Sequence, residues 1–149
     1  MKIKRITDNK HEFLGLLLLA DPDEDMISRY LDRGELFALY DENELKSVCV
    51  VTDEGNGLCE LKNLATAPEA QHRGYASRLV HHVIKACRPK YTTMQVGTGD
   101  VPKTIRFYEK CGFTRSNRIR DFFTTYYPEP IVEDGILLTD MIYLTQTLR

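Results

Sequence analysis

The sequence contains no tryptophan, only four cysteines, nine glycines and six prolines, and no basic run. Each shortage excludes something. Cys49, Cys59, Cys87 and Cys111 are widely spaced and form no C-x-x-C pair, so neither a zinc site nor a disulfide framework is expected. Buried, reduced thiols in a cytoplasmic protein are the simpler expectation. Lysine and arginine total 20 against 22 acidic residues, giving a net charge of −2 without a basic arm, so no nucleic-acid footprint is visible. The one long apolar cluster, "FLGLLLLA" (Phe13 to Ala20), is far short of a membrane span and follows "DNKHE" rather than a positively charged leader. Neither a membrane segment nor a signal peptide is expected. The glycines never assemble into G-x-G-x-x-G or G-x-x-x-x-G-K-[ST], and "GTGD" (Gly97 to Asp100) is too short to substitute. The Rossmann and P-loop fingerprints are therefore absent.

What remains has the balance of a globular chain: 42% apolar and 28% charged over 149 residues, most simply one domain spanning 1–149. "MKIKRIT" alternates as a strand does. A helix is expected between Asp8, as N-cap, and the stop Asp21-Pro22. The acidic "DPDED" (Asp21 to Asp25) suits the first turn of a second helix, in which Met26, Ile27, Tyr30 and Leu31 form a stripe closed by Gly34. Residues 35–68 hold three β-rich runs divided by the turn sequences "DENE" and "DEGNG", an antiparallel meander. Ala76, Leu79, Val80, Val83, Ile84 and Ala86 recur at helical spacing before Pro89. "YTTMQVGTGD" is a strand, and "VPKTIRFYEKCGF" a short helix with Pro102 in its first turn and Gly112 at its end. "FTRSNRIRDFF" and "GILLTDMIYLTQTL" read as the last strands, joined by a loop containing "YPEPIVEDG". The order predicts a mixed α/β layout.

The glycine in "QHRGYASRLV" (Gln71 to Val80) falls at the start of the third helix. A helix N-terminus presents unpaired N–H groups and partial positive charge, which favours phosphate. Glycine lets a ligand approach the backbone without meeting a Cβ, and Arg73 can add a full charge. Taken alone the signal is weak, since most such junctions bind nothing.

Two stretches change that. Gln71-His72-Arg73-Gly74-Tyr75-Ala76 and Tyr108-Glu109-Lys110-Cys111-Gly112-Phe113 resemble, in sequence and separation, the two motifs of the GCN5-related N-acetyltransferase family. There, a Q/R-x-x-G-x-G/A segment wraps the diphosphate of acetyl-CoA and a Y-x-x-x-G-F stretch follows on the next helix. The element order agrees along nearly the whole chain. The resemblance implies a mixed, mostly antiparallel sheet of about seven strands flanked by four helices. It implies acetyl-CoA as co-substrate, with no metal. Bacterial members with a similar "LADP", "GTG", "YPEPI" and "DMI" look nearest, a likeness that gives no substrate.

The resemblance also assigns candidate roles. In the family the fourth strand splays from the fifth, freeing main-chain groups; by position these are Leu64, Ala65 and Thr66, with the Leu64 N–H as oxyanion donor. Gln71, His72, Arg73, Gly74, Tyr75, Ala76 and Ser77 would hold the diphosphate, and Thr104, Phe107 and Tyr108 the remainder of the coenzyme. Tyr108 is the candidate acid toward the leaving thiolate, since a phenol of pKa about 10 suits that donor role; otherwise it packs beside Phe107. Glu60, eleven residues before Gln71, stands where histone-type members carry a general base. Strand alternation would put it on one face with Lys62 and Leu64. The bland reading of Glu60 is a pair with Lys62, with an ordered water as base. Val101 stands where the family often has an asparagine, so Asp100 or Thr104 would take its place. His81-His82 lack a metal-spaced partner and read as a solvated face plus a packed ring. "DFFTTYYPEP" suits an amine beside apolar surface, or a core strand followed by a stiff loop.

The expected activity is direct acetyl transfer to a primary amine, in first place that of a small molecule. A protein lysine or N-terminal amine is the alternative, and a non-catalytic acyl-CoA-binding sensor the second. A homodimer is possible in this family.

Overall fold

A computed structural model describes residues 1–149. Strands β1 (Lys2–Ile6), β2 (Glu35–Asp41), β3 (Glu44–Gly55), β4 (Leu58–Thr66), β5 (Thr93–Gly99), β6 (Thr114–Ile119) and β9 (Met141–Thr147) form one seven-stranded sheet in the order β1-β2-β3-β4-β5-β9-β6. A separate two-stranded hairpin pairs β7 (Val132–Glu133) with β8 (Ile136–Leu137). All neighbours run antiparallel except β4 and β5, which are parallel because helix α3 (Tyr75–Cys87) carries the chain back between them.

Two apolar clusters fill the two faces of the sheet. On one, Tyr75, Leu79, Val80, Val83, Ile84 and Cys87 of α3 and Ile105 and Tyr108 of α4 (Pro102–Lys110) pack over Cys49, Leu61, Met94, Val96 and Leu144. On the other, Leu17 of α1 (Leu14–Ala20), Ile27 of α2 (Glu24–Ser28), Tyr30 and Leu31 cover Leu36, Val48, Val50 and Ala65. Each fully buried leucine, isoleucine or valine adds about 1.5–3 kcal/mol by leaving water, so both faces contribute to holding the sheet. The α3 stripe differs from expectation at its ends: Tyr75 and Cys87 are buried, while Ala76 is half-buried and Ala86 exposed. All four cysteines are buried and free. No helix is long and apolar enough to cross a membrane.

Four expectations need correction. Asp8 caps nothing; a 3-10 turn (Lys10–Phe13) precedes α1, entered through Asn9 in the left-handed conformation without a side-chain cap. The acidic stretch does cap α2, through Asp23 accepting from the Asp25 N–H at 2.9 Å, but Asp21 is drawn inward instead. The strand expected to run through Phe122–Phe123 stops at Ile119. Asp140 accepts from the Asp121 N–H at 2.9 Å and pairs with Arg118 at 2.6 Å, turning the chain into a fifth helix, α5 (Phe122–Tyr126), with no buried residue. "GILLTDMIYLTQTL" divides likewise: its first residues enter the β7–β8 hairpin and only Met141–Thr147 joins the sheet.

Candidate active site

The parallel pairing of β4 with β5 runs from Leu58↔Thr93 only to Leu61↔Val96. Beyond it, Leu64, Ala65 and Thr66 keep β3 as neighbour, opposite Cys49, Val48 and Ser47, and have no strand on the other side. The sheet opens there because β4 gains a residue: Val50 pairs with Asn63 and Val51 with Leu61, so Lys62 is bulged out. The bulge also reverses the faces. Cys59, Leu61 and then Leu64 belong to the α3 side, whereas Asn63 and Ala65 face α1 and α2. Glu60, facing away from its neighbours Cys59 and Leu61, is thus on the face opposite Leu64, contrary to the simple alternation expected of β4.

A cleft of about 670 Å³ begins at the turn before α3 and is lined by Gln71, His72, Gly74, Tyr75, Ala76 and Ser77. Its backbone is built for an anion. Gly74, at φ 85°, is the N-cap of α3 and has no side chain to offer. The N–H groups of Tyr75, Ala76 and Ser77 accordingly find no acceptor in the protein. His72 is also left-handed, at φ 64°. Tyr75 is fixed by donating its hydroxyl to Asp41 at 2.7 Å, a bond that holds the Asp41 carboxyl below its ordinary value. The cleft continues past Leu64, Thr66, Thr104 and Phe107 to Tyr108.

Tyr108 is 8% exposed on its helix, between Phe107 and Phe113 at 5.1 and 5.9 Å in edge-on contact. Its hydroxyl has no hydrogen-bond partner in the protein, yet it is not sealed off, and the residue lines the cleft. Burial pushes the phenol well above its usual range, with Cys111 and Glu133 adding to the shift, so it keeps its proton at neutral pH.

A second cavity, about 240 Å³, lies in the opening of the sheet, lined by Ala20, Leu61, Lys62, Asn63, Leu64, Thr98, Thr104, Tyr108 and Glu133. It meets the first at Leu64, Thr104, Tyr108 and Glu133, which line both. Its α1 wall is held by buried polar groups. Asp21 accepts from Tyr30 at 2.9 Å and Tyr127 at 3.0 Å, and Asn63 donates to Leu17 O at 3.1 Å and to the Tyr30 hydroxyl at 3.0 Å. Burial raises the Asp21 carboxyl despite these donors. Asn63 Oδ1 is left without a partner, an arrangement that costs on the order of 1–3 kcal/mol where no compensation exists.

Of the residues singled out from the sequence, Leu64, Thr66, Gln71, His72, Gly74, Tyr75, Ala76, Ser77, Thr104, Phe107 and Tyr108 come together around the cleft. Three do not. Arg73 turns outward, 3.5 Å from Glu42 and over the ring of Tyr75 at 5.2 Å. The Ala65 side chain is buried on the α1–α2 face. Glu60 lines neither cavity: it is 6% exposed, with one oxygen taking Gln95 at 2.6 Å and the other Lys62 at 3.1 Å. Asp100 is paired with Arg118 at 3.0 Å, leaving Thr104 at the cleft. The aromatic stretch after Asp121 is not a core strand but the clustered face of α5. Lys103, Glu133 and Asp134 also line the cleft and were not anticipated. Nothing local marks Glu133 and Asp134; they arrive through a hairpin some thirty residues away, roughly the kind of long-range contact that sequence periodicity does not carry.

A cleft with free helix amides at one end, joined to a second cavity in the opening of the sheet, is suited to a group-transfer enzyme whose two ligands meet in the middle. Comparison with known proteins gives the family: residues 32–115 match the Acetyltransferase (GNAT) domain, and the chain belongs to the GNAT acetyltransferases. It is 34% identical to the N-acetyltransferase YvbK of Bacillus subtilis over 97% of this chain and 94% of that protein. Two solved structures are close throughout. A GNAT acetyltransferase from Elizabethkingia anophelis with acetyl-CoA bound has 36% identity and a TM-score of 0.93, covering 98% of this chain and 97% of the other. A Bacillus subtilis acetyltransferase in complex with CoA has 33% identity and a TM-score of 0.92, with 99% of each chain covered. The chain is an N-acetyltransferase.

Proposed function

We propose that the protein transfers an acetyl group from acetyl-CoA directly to a primary amine of a small molecule, both substrates being bound together. The observation that carries this reading is the meeting of two cavities at Leu64, Thr104, Tyr108 and Glu133, the second of them in the opening of the sheet. A single cleft would suffice for a sensor; a second chamber opening on the reactive end favours catalysis.

The residues fit the coenzyme. Unpaired N–H groups of Tyr75, Ala76 and Ser77 would take the diphosphate, with His72 beside them, and the unpaired edge of β4 at Leu64 to Thr66 would line the pantetheine arm. Acetyl-CoA supplies the activated acyl group as a thioester. The Leu64 N–H is placed to stabilise negative charge growing on a carbonyl oxygen. Tyr108, held protonated by burial, gives its proton to the departing sulfur. The amine must lose a proton before attack. Because both oxygens of Glu60 are engaged and it lines neither cavity, this proton leaves through water, and Glu60 holds Lys62. Glu60 as base is the alternative.

Calorimetry with CoA and acetyl-CoA, followed by thiol release over an amine panel, tests the proposal. Micromolar binding with acceptor-dependent release is expected. No binding at millimolar levels would overturn the reading, and binding without release from any amine would leave the sensor. A lysine-containing peptide belongs in the panel, since turnover of that alone would move the acceptor to protein amines.

A further inference from the structure

Glu133 is the one carboxylate that lines both cavities. It stands on β7 and is carried by the hairpin to the point where Leu64, Thr104 and Tyr108 converge. Its Oε2 accepts from Thr104 Oγ1 at 2.6 Å, which anchors the side chain across the junction. No other donor in the protein reaches it, and it takes part in none of the ion pairs. Lys103 lines the first cavity with it but makes no ion pair with it, so the carboxylate keeps room for a further cation. The cation in the second cavity, Lys62, is already neutralised by Glu60 at 3.1 Å. Glu133 is consequently the carboxylate of the second cavity left free to take a cation, on a wall that also holds Tyr108 and Asn63, whose amide oxygen is unpaired.

From this geometry we propose that Glu133 is a specificity-determining residue that binds the ammonium of the acceptor, and that the acceptor is an alkylamine bearing no carboxylate next to its amine. The inference rests on the acetyl-transfer reading above. A primary ammonium has three N–H donors, and charge-assisted hydrogen bonds to a carboxylate are the strongest partners it finds in a protein. A chamber of about 240 Å³ has room for roughly eight water-sized groups, enough for the amine and an alkyl chain of several methylenes. An α-carboxylate would be brought against Glu133, and like charges in a partly desolvated site repel. Glu133 is not the base in this scheme. It concentrates and orients the cation, and the proton then leaves through water.

The test compares n-butylamine with norvaline, the same stem with and without a carboxylate, using wild type and Glu133→Gln. The glutamine keeps an acceptor for Thr104 and removes the charge. CoA binding by calorimetry is measured first on both proteins and should agree within about twofold, since Glu133 makes no contribution to the diphosphate turn. In wild type, kcat/KM for butylamine should exceed that for norvaline at least roughly tenfold. In Glu133→Gln, KM for butylamine should rise at least roughly tenfold with kcat within about threefold, and the preference over norvaline should shrink. An unchanged KM, a fall in kcat alone, or no turnover of butylamine by a wild type that binds CoA would each overturn the assignment. Absence of CoA binding would instead overturn the acetyl-transfer reading beneath it.

Discussion

Replacing Gly74 with alanine separates a phosphate-binding turn from an ordinary helix cap. Gly74 sits at φ 85°, and a Cβ built on it meets no protein atom within 4 Å, so the new methyl would clash with nothing in the fold. The folding cost is then backbone strain alone, about 1–2 kcal/mol for an L-residue in the left-handed region. In a chain of this size that lowers Tm by roughly 2–6 °C. The open space around the Cβ belongs to the cleft, however. If a diphosphate rests on the adjacent amides, the methyl displaces it and weakens on the order of two charge-assisted hydrogen bonds, together about 3 kcal/mol. That amounts to roughly a hundredfold in Kd for CoA. A matched control exists at Gly55, also at φ 85° with nothing within 4 Å of its Cβ, but in the β3–β4 turn and outside the cleft. Gly55→Ala should lose the same stability and keep its CoA affinity. Calorimetric Kd values and thermal melts of both variants decide the matter: if Gly74→Ala melts lower yet binds CoA as tightly as wild type, the turn is a cap and the phosphate argument is wrong.

Other consequences follow from the same site. Tyr108→Phe should lower kcat by about 10²–10⁴, the range for a lost general acid, while CoA affinity stays within about twofold; undiminished thiol release would remove Tyr108 from that role. Because its pKa is raised, the wild-type rate should show no loss from phenol ionisation as pH climbs to about 10, the unperturbed value. Glu60→Gln should leave kcat at neutral pH within about threefold but destabilise the fold by about 1–2 kcal/mol, because Lys62 is left without its counter-charge in a partly screened position; a collapse in kcat restored at high pH would make Glu60 the base instead. Asp21 carries a pH signature. Its folded pKa lies above the unfolded value, so the native state binds the extra proton, and wild type should gain stability relative to Asp21→Asn as pH falls from 7 toward 4. Melts across that range showing the opposite trend would contradict the burial argument.

The turn from Gln71 to Ser77 was legible in the sequence as a helix start because it is short-range: a glycine before a helical stripe leaves the first helix amides free, and the family resemblance added the diphosphate. Pro102 and Gly112 made the helix that carries Tyr108 legible, but Tyr108 itself was singled out by the resemblance of the stretch Tyr108 to Phe113 to the family's motif. The meander followed from periodicity and turn residues and the mixed sheet from the family resemblance, whereas the order of the sheet, with β9 between β5 and β6, did not. Arg73 shows where that reasoning stops. Its charge suggested phosphate, but a long flexible side chain goes to whichever partner is near, here Glu42 and the Tyr75 ring.

Only the tertiary structure brought the walls of the second cavity together. One bulged residue, Lys62, reverses the faces of β4 and places Glu60 away from Leu64, and a bulge is set by pairing with β3 rather than by the β4 sequence alone. Glu133 reaches the reactive junction through a hairpin whose two-residue strands have no periodicity to read, and Asp21 is internal because two tyrosines, nine and 106 residues further along the chain, converge on it. Hydrogen bonds and turns between near neighbours are written into the order of residues; the meeting of distant carboxylates, phenols and strand edges exists only once the chain has packed.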